Sequence, residues 1–192
     1  MKQAQDALAA GLDAHQQGNL ANAIDQYRRG IDADPRNPGL YNNLGITLRQ
    51  TGNLEEAAQA FEGALKVDVK YEKALNNLGV TRYQQGRFED AIDLFKQAIR
   101  INASNAESYV NLGIIYLQAG RADEALGALQ DALRYDPRSP EAHYNLALLW
   151  ERRGDRDRAL QHYERFVELA GSGHEALVTR VKEYLGQLAR RR

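Results

Sequence analysis

The chain contains no cysteine, which excludes disulfide bridges and every metal or catalytic site built on thiolate. It carries almost no net charge, with 25 Lys+Arg against 26 Asp+Glu, so nothing draws it generally toward nucleic acid or an anionic membrane. No apolar run approaches the ~20 residues of a membrane span. The opening MKQAQDALAAGLDAHQQ lacks the apolar region of a signal peptide. Those two absences predict a cytoplasmic protein, although the trimmed form of an exported one reads the same. Catalytic signatures are missing too: there is no P-loop, GxSxG, HExxH or CxxC pattern. The four histidines, His15, His143, His162 and His174, form no i, i+4 pair. No enzyme activity, metal or cofactor is therefore expected. His143 lies in a column that packs between helices, where a hydrogen-bonded interfacial role is expected.

What the chain does contain is a period. Gly11, Gly45, Gly79, Gly113 and then Ala147 recur every 34 residues without insertion or deletion. Ala23, Ala57, Ala91, Ala125 and Ala159 keep the same phase, and so do Gly18, Gly52, Gly86, Gly120 and Gly154. Three columns in phase through five copies identify a repeat architecture. Each copy reads as two helices. In the third, residues 72–85 place Leu75, Leu78, Gly79 and Arg82 on one stripe, and residues 88–101 place Phe88, Ala91, Ile92, Phe95, Ala98 and Ile99 at helical spacing. All four prolines mark the turns. Asp34-Pro35 and Asp136-Pro137 close second helices, while Asn37-Pro38 and Ser139-Pro140 open first helices with an N-cap and an N1 proline. Asn53 followed by Glu56 has the form of a capping box. Glycine inside a helix costs ~1 kcal/mol relative to alanine, so its recurrence implies a packing demand. It lets two backbones approach, with Tyr27, Phe61, Phe95, Leu129 and Tyr163 filling the space beside it.

Leu44-Gly45, Leu78-Gly79 and Leu112-Gly113, with Ala57/Phe61/Ala64 and Ala91/Phe95/Ala98 on the second helices, resemble the tetratricopeptide repeat family. The resemblance implies an all-α, right-handed superhelical solenoid of five antiparallel helix pairs. These span residues 4–173, as repeats 4–37, 38–71, 72–105, 106–139 and 140–173, followed by a capping helix over 174–192. Ala10 and Ala14, where the family usually has larger residues, and Gly30, where it usually has alanine, predict that the first repeat is the most loosely packed. Phe166 in place of alanine predicts that the array ends there. The cap carries a stripe of Leu177, Val178, Val181, Leu185 and Leu188, and Arg190, Arg191 and Arg192 complement its C-terminal dipole.

In that family a concave groove is lined by first helices, and its residues report the ligand. One such column is asparagine four times: Asn43, Asn77, Asn111 and Asn145. A carboxamide both donates and accepts, so it can pair with the backbone of a polypeptide without reading its side chains. The column resembles the asparagine ladder of superhelical members that hold extended polypeptide. The alternative is that each asparagine bonds the neighbouring helix and stiffens the stack. Asn42 and Asn76 double the ladder, Ile46, Val80, Ile114 and Leu148 run beside it, and Gln84 and Gln118 belong to a second carboxamide column. Arg49 and Lys73 lie toward the middle. Glu107, Glu141 and Glu151 lie toward the C-terminal end, which suits a basic residue in the ligand near repeats four and five. Of the five positions that the family's chaperone-tail binders use to clamp carboxylates, only Asn43 and Lys73 match, while Leu8, Leu12 and Asn77 depart from the pattern.

The expected function is a protein-interaction scaffold that binds an extended or helical segment of another protein. The alternatives are a self-assembling homo-oligomeric scaffold and a substrate-presenting subunit of a multi-chain enzyme. A hydrogen bond nets ~0.5–1.5 kcal/mol, so four rungs give at most ~6 kcal/mol, and with some apolar burial a micromolar dissociation constant is expected.

Overall fold

The computed structural model describes residues 2–189; among them are eleven α-helices, one 3-10 turn and no strand. The helices are α1 (Lys2–Gln16), α2 (Leu20–Ala33), α3 (Pro38–Gln50), α4 (Leu54–Val67), α5 (Glu72–Gln84), α6 (Phe88–Ile101), α7 (Ala106–Gln118), α8 (Ala122–Tyr135), α9 (Pro140–Arg152), α10 (Arg156–Leu169) and α11 (Glu175–Ala189). First helices begin at residues 38, 72, 106 and 140, and second helices at 20, 54, 88, 122 and 156, so the 34-residue period is kept to the residue. The chain forms two compact units, residues 1–103 and 104–192, whose boundary falls between the third and fourth helix pairs.

Local chemistry explains where the helices start and stop. Asn37 caps α3 by accepting from the Gly39 N–H, and Ser139 caps α9 by accepting from the Ala142 N–H, each followed by its N1 proline. Within each pair the two helices are joined by a glycine at positive φ, between 71° and 82° at Gly18, Gly52, Gly86, Gly120 and Gly154. A side chain is strained in that left-handed conformation, which explains the third column. The Asn53–Glu56 capping box does not form. Asn53 makes no side-chain cap; its Nδ2 donates to Thr51 Oγ1, and Glu56 instead pairs with Arg28 of α2 at 3.0 Å.

The first unit is built from α1 to α6 around Tyr27, Leu40, Phe61 and Phe95, all buried. Fully burying a side chain of this kind stabilises by roughly 1.5–3 kcal/mol. The in-phase glycines make room for ring atoms rather than for the opposing backbone. A Cβ on Gly45 would stand 2.6 Å from Phe61 Cε1, and one on Gly79 would stand 2.8 Å from Phe95 Cε1. At Gly30 the space is filled by Leu40, 2.7 Å from where a Cβ would be. Arg82 on the apolar stripe of α5 is also buried. It pairs with Glu62 of α4 and donates to Gln85 Oε1 at 2.8 Å.

The second unit contains α7 to α11. Leu129, Leu146, Leu149 and Phe166 are fully buried. Phe166 is covered by the Tyr144 ring, 5.2 Å between centroids, and by His174 of the 3-10 turn Ser172–His174 at 6.0 Å. The bulky residue therefore accepts the C-terminal cap. On α11, Val181 is buried and Leu177, Val178 and Leu185 are half-buried. The Leu188 side chain and the basic tail of Arg190, Arg191 and Arg192 lie outside the described residues.

Candidate functional site

The asparagine column divides between the units, and its members do different things. In the first unit α3 carries Asn43 and α5 carries Asn77, both half-buried. Asn43 makes no side-chain hydrogen bond among the described residues. Asn77 is engaged: its Nδ2 donates to Asn42 Oδ1 at 3.1 Å, and its Oδ1 accepts from Arg49 at 3.4 Å. In the second unit Asn145 Nδ2 donates back to the Glu141 carbonyl at 2.8 Å. Asn111 Nδ2 is buried and has no hydrogen-bond partner among the described residues. Stiffening between neighbouring first helices is thus visible at Asn77, while the Asn43 and Asn111 amides are uncommitted.

Asn42 and Asn76 do not stand open beside the ladder. They are 4% and 6% exposed, buried in the packing of α3 and α5. One residue along a helix turns the side chain by about 100°, which carries them off the open face. Ile46, Val80, Ile114 and Leu148 are half-buried, as a partly open apolar line requires. Lys73, Gln84 and Gln118 are exposed, and Arg49 is half-buried with its guanidinium on Asn77. Gln50, also in the second carboxamide column, accepts at Oε1 from His15 Nε2 at 2.5 Å. Arg152, the last member of that column, donates to the Leu117 carbonyl at 2.8 Å and so caps α7.

A cleft of about 380 Å³ opens on the first-helix side of the second unit, between α7 and the start of α9. Val110, Asn111 and Ile114 line it from α7, and Glu107, Asp136 and Glu141 supply carboxylates. Glu107 has no ion-pair partner among the described residues. Asp136 accepts from the Arg138 N–H, and Glu141 accepts from Ser139 Oγ at 3.2 Å and lies 3.2 Å from His174.

Three arrangements escaped the sequence reading. Glu151 holds the C-terminal cap: its carboxylate accepts from the Tyr163 hydroxyl at 2.8 Å and from the Tyr184 hydroxyl of α11 at 2.6 Å. Burial, and then the neighbouring carboxylate, push the Tyr163 phenol well above its ordinary range. His143 is interfacial as expected, at 8% exposure, and its partner is His162, with Nδ1 to Nδ1 at 3.0 Å. His143 Nε2 faces the Pro137 carbonyl at 3.4 Å, which assigns Nε2–H to His143 and makes His162 the Nδ1–H donor. Burial lowers both imidazoles, His162 to about 4 with His143 as the second cause. The third arrangement is a set of arginine contacts around the turn between α9 and α10. Arg153 pairs with Asp123, and Arg158 lies 3.6 Å from the centroid of the Trp150 ring. Among the described residues, no group of three or more His, Asp or Glu side chains could hold a metal ion.

Comparisons with known proteins agree with this architecture. Residues 37–104, 74–138 and 110–174 match tetratricopeptide repeat families, and residues 11–48 match a TPR repeat family. No curated protein matches. Among solved structures, PilF of Pseudomonas aeruginosa superimposes with a TM-score of 0.82 and 22% identity, covering 96% of this chain and 85% of that one. TTC0263, a thermophilic TPR protein in Thermus thermophilus, gives 0.76 and 25% over 95% and 98%. YrrB, described as a TPR protein with an unusual peptide-binding site, gives 0.68 and 19% over 92% and 90%.

Proposed function

The chain belongs to the tetratricopeptide repeat family, and on that premise we propose that its first-helix faces bind an extended or helical segment of another protein. The family's fold is in general a non-catalytic protein-interaction fold, which makes this chain a protein-interaction scaffold. The observation that carries the finer reading is the asparagine at one position of four successive first helices, with the Asn43 and Asn111 amides uncommitted. An amide with open valences beside the half-buried Ile46 or Ile114 offers hydrogen bonds and apolar surface together, as a polypeptide backbone with apolar side chains requires. Near-zero net charge supports a polypeptide partner over nucleic acid or an anionic membrane. Among the described residues no helix is long and apolar enough to cross a membrane. That YrrB is described with a peptide-binding site puts peptide binding among the uses of this fold.

Binding at Asn77 and Asn145 requires exchanging existing hydrogen bonds, so those rungs contribute less than the other two. With ~0.5–1.5 kcal/mol per net hydrogen bond plus apolar burial, a micromolar complex remains the expectation. The test is affinity capture from the native host's lysate, comparing wild type with an Asn43→Ala/Asn111→Ala/Asn145→Ala variant of unchanged circular dichroism. A partner held by wild type and lost by the variant supports the reading. A partner held equally by both places binding elsewhere, and recovery of this chain alone favours the self-assembling scaffold.

A further inference from the structure

We propose that the second unit selects a lysine or arginine in the bound segment, with its cation among Glu107, Asp136 and Glu141 and a neighbouring backbone carbonyl on Asn111. The proposal rests on the reading above and names the ligand chemistry of one part of that face.

Four features of the cleft converge. It has room for a long side chain, at about 380 Å³. Its apolar side is Val110, buried, and Ile114, half-buried, surfaces along which the methylene stem of lysine or arginine packs while its charged end stays polar. Among the described residues its titratable lining is three carboxylates, with no lysine or arginine. Asn111 lines it as well, and its Nδ2 is buried with no acceptor among the described residues. A buried unsatisfied donor is costly, and an acceptor arriving with a ligand relieves that cost.

A purely structural explanation accounts for part of this. Glu107 and Glu141 lie in the first turns of α7 and α9, where negative charge is favoured by the helix dipole. It does not account for the unpartnered amide. Asp136, which follows the last residue of α8, holds its turn by accepting from the Arg138 N–H, as Asp34 and Asp68 do in theirs, and it lines the same cleft. Carboxylates, apolar stem surface and an open donor together match a basic residue and its own backbone. An acidic segment would meet like charge there.

The experiment selects phage-displayed random dodecapeptides against the full chain, a Glu107→Gln/Glu141→Gln variant and an Asn111→Ala variant, each checked by circular dichroism. One selected peptide is then remade with norleucine in place of its basic residue. The expected result is enrichment of lysine or arginine at one position by wild type, and loss of that enrichment by the Gln variant, which still selects peptides. The norleucine peptide should bind wild type about fivefold to tenfold more weakly and the Gln variant with little difference. Peptides selected by wild type without basic enrichment, but lost on Asn111→Ala, overturn cation selection and leave the groove reading standing. Acidic enrichment overturns the proposal directly. Selected peptides that bind both variants as tightly as wild type overturn both readings.

Discussion

Gly45 and Gly127 are both glycines inside helices, and the structure predicts opposite outcomes for replacing them by alanine. Alanine gains up to ~1 kcal/mol in helix propensity at either site. At Gly127 of α8 nothing lies within 4 Å of the added methyl, so Gly127→Ala should stabilise by about 0.5–1 kcal/mol. At Gly45 the methyl would stand 2.6 Å from Phe61 Cε1 and 2.8 Å from Cδ1 and Cζ. Ordinary van der Waals contact begins near 3.4 Å, so the ring must retreat by close to an ångström. Phe61 is wholly buried beneath its neighbours and cannot swing into solvent. Overpacking costs ~1–3 kcal/mol, and with the ring wholly buried the upper part of that range, ~2–3 kcal/mol, applies, leaving Gly45→Ala destabilised by about 1–2 kcal/mol after the propensity gain. Urea titrations followed by circular dichroism measure both variants, and a double-mutant cycle with Phe61→Leu isolates the contact, with coupling of about 1 kcal/mol expected. If Gly45→Ala is as stabilising as Gly127→Ala, or if Phe61→Leu does not relieve it, the packing account of the glycine column is wrong.

The polar contacts carry three more expectations. Asn77→Ala strips the Nδ2 donor from the buried Asn42 Oδ1 and should cost ~1–3 kcal/mol, whereas Asn43→Ala should leave stability unchanged; thermal melts of the two separate the stiffening rung from the free one. His162 titrates near 4 in the folded chain, below its ordinary 6.5, so the folded state resists protonation. Its contribution is complete above about pH 6.5 and is lost as pH falls toward 4. With ~1.4 kcal/mol per pKa unit, discounted for partial exposure, the loss is on the order of 2 kcal/mol. Urea midpoints between pH 7 and 4 should show that loss in wild type and a flatter profile in His162→Gln. Tyr184→Phe removes one of the two hydroxyls on Glu151, and amide exchange across residues 175–187 should speed up about threefold to tenfold while the α3–α4 amides stay unchanged.

The sequence made the period legible because every repeat solves one packing problem with the same residue types at the same places. Helix starts spaced by 34 residues follow directly from the glycine and alanine columns. The asparagine column was legible for the same reason, since a single first-helix position recurs. Contacts that cross between helices were not. Asn42 differs from Asn43 by one step in sequence and by a third of a helix turn in direction, which decides between burial and access. His143 and His162 are 19 residues apart, and Glu151 and Tyr184 are 33 apart. No periodicity links such pairs, because they depend on where two different helices happen to cross. Asn53 shows the converse: its local pattern fits a capping box, yet Glu56 pairs with Arg28 on another helix.

In the proposed function a partner polypeptide lies on the first-helix faces. Photo-crosslinking in the native host measures this most directly, with p-benzoylphenylalanine at Lys73 or Gln118 on that side and at Gln97 or Gln130 on the second helices, all four exposed. The account predicts heterologous protein adducts from Lys73 and Gln118, identified by mass spectrometry, and few from Gln97 and Gln130. Adducts arising only from the second-helix positions, or consisting only of this chain joined to itself, would contradict it.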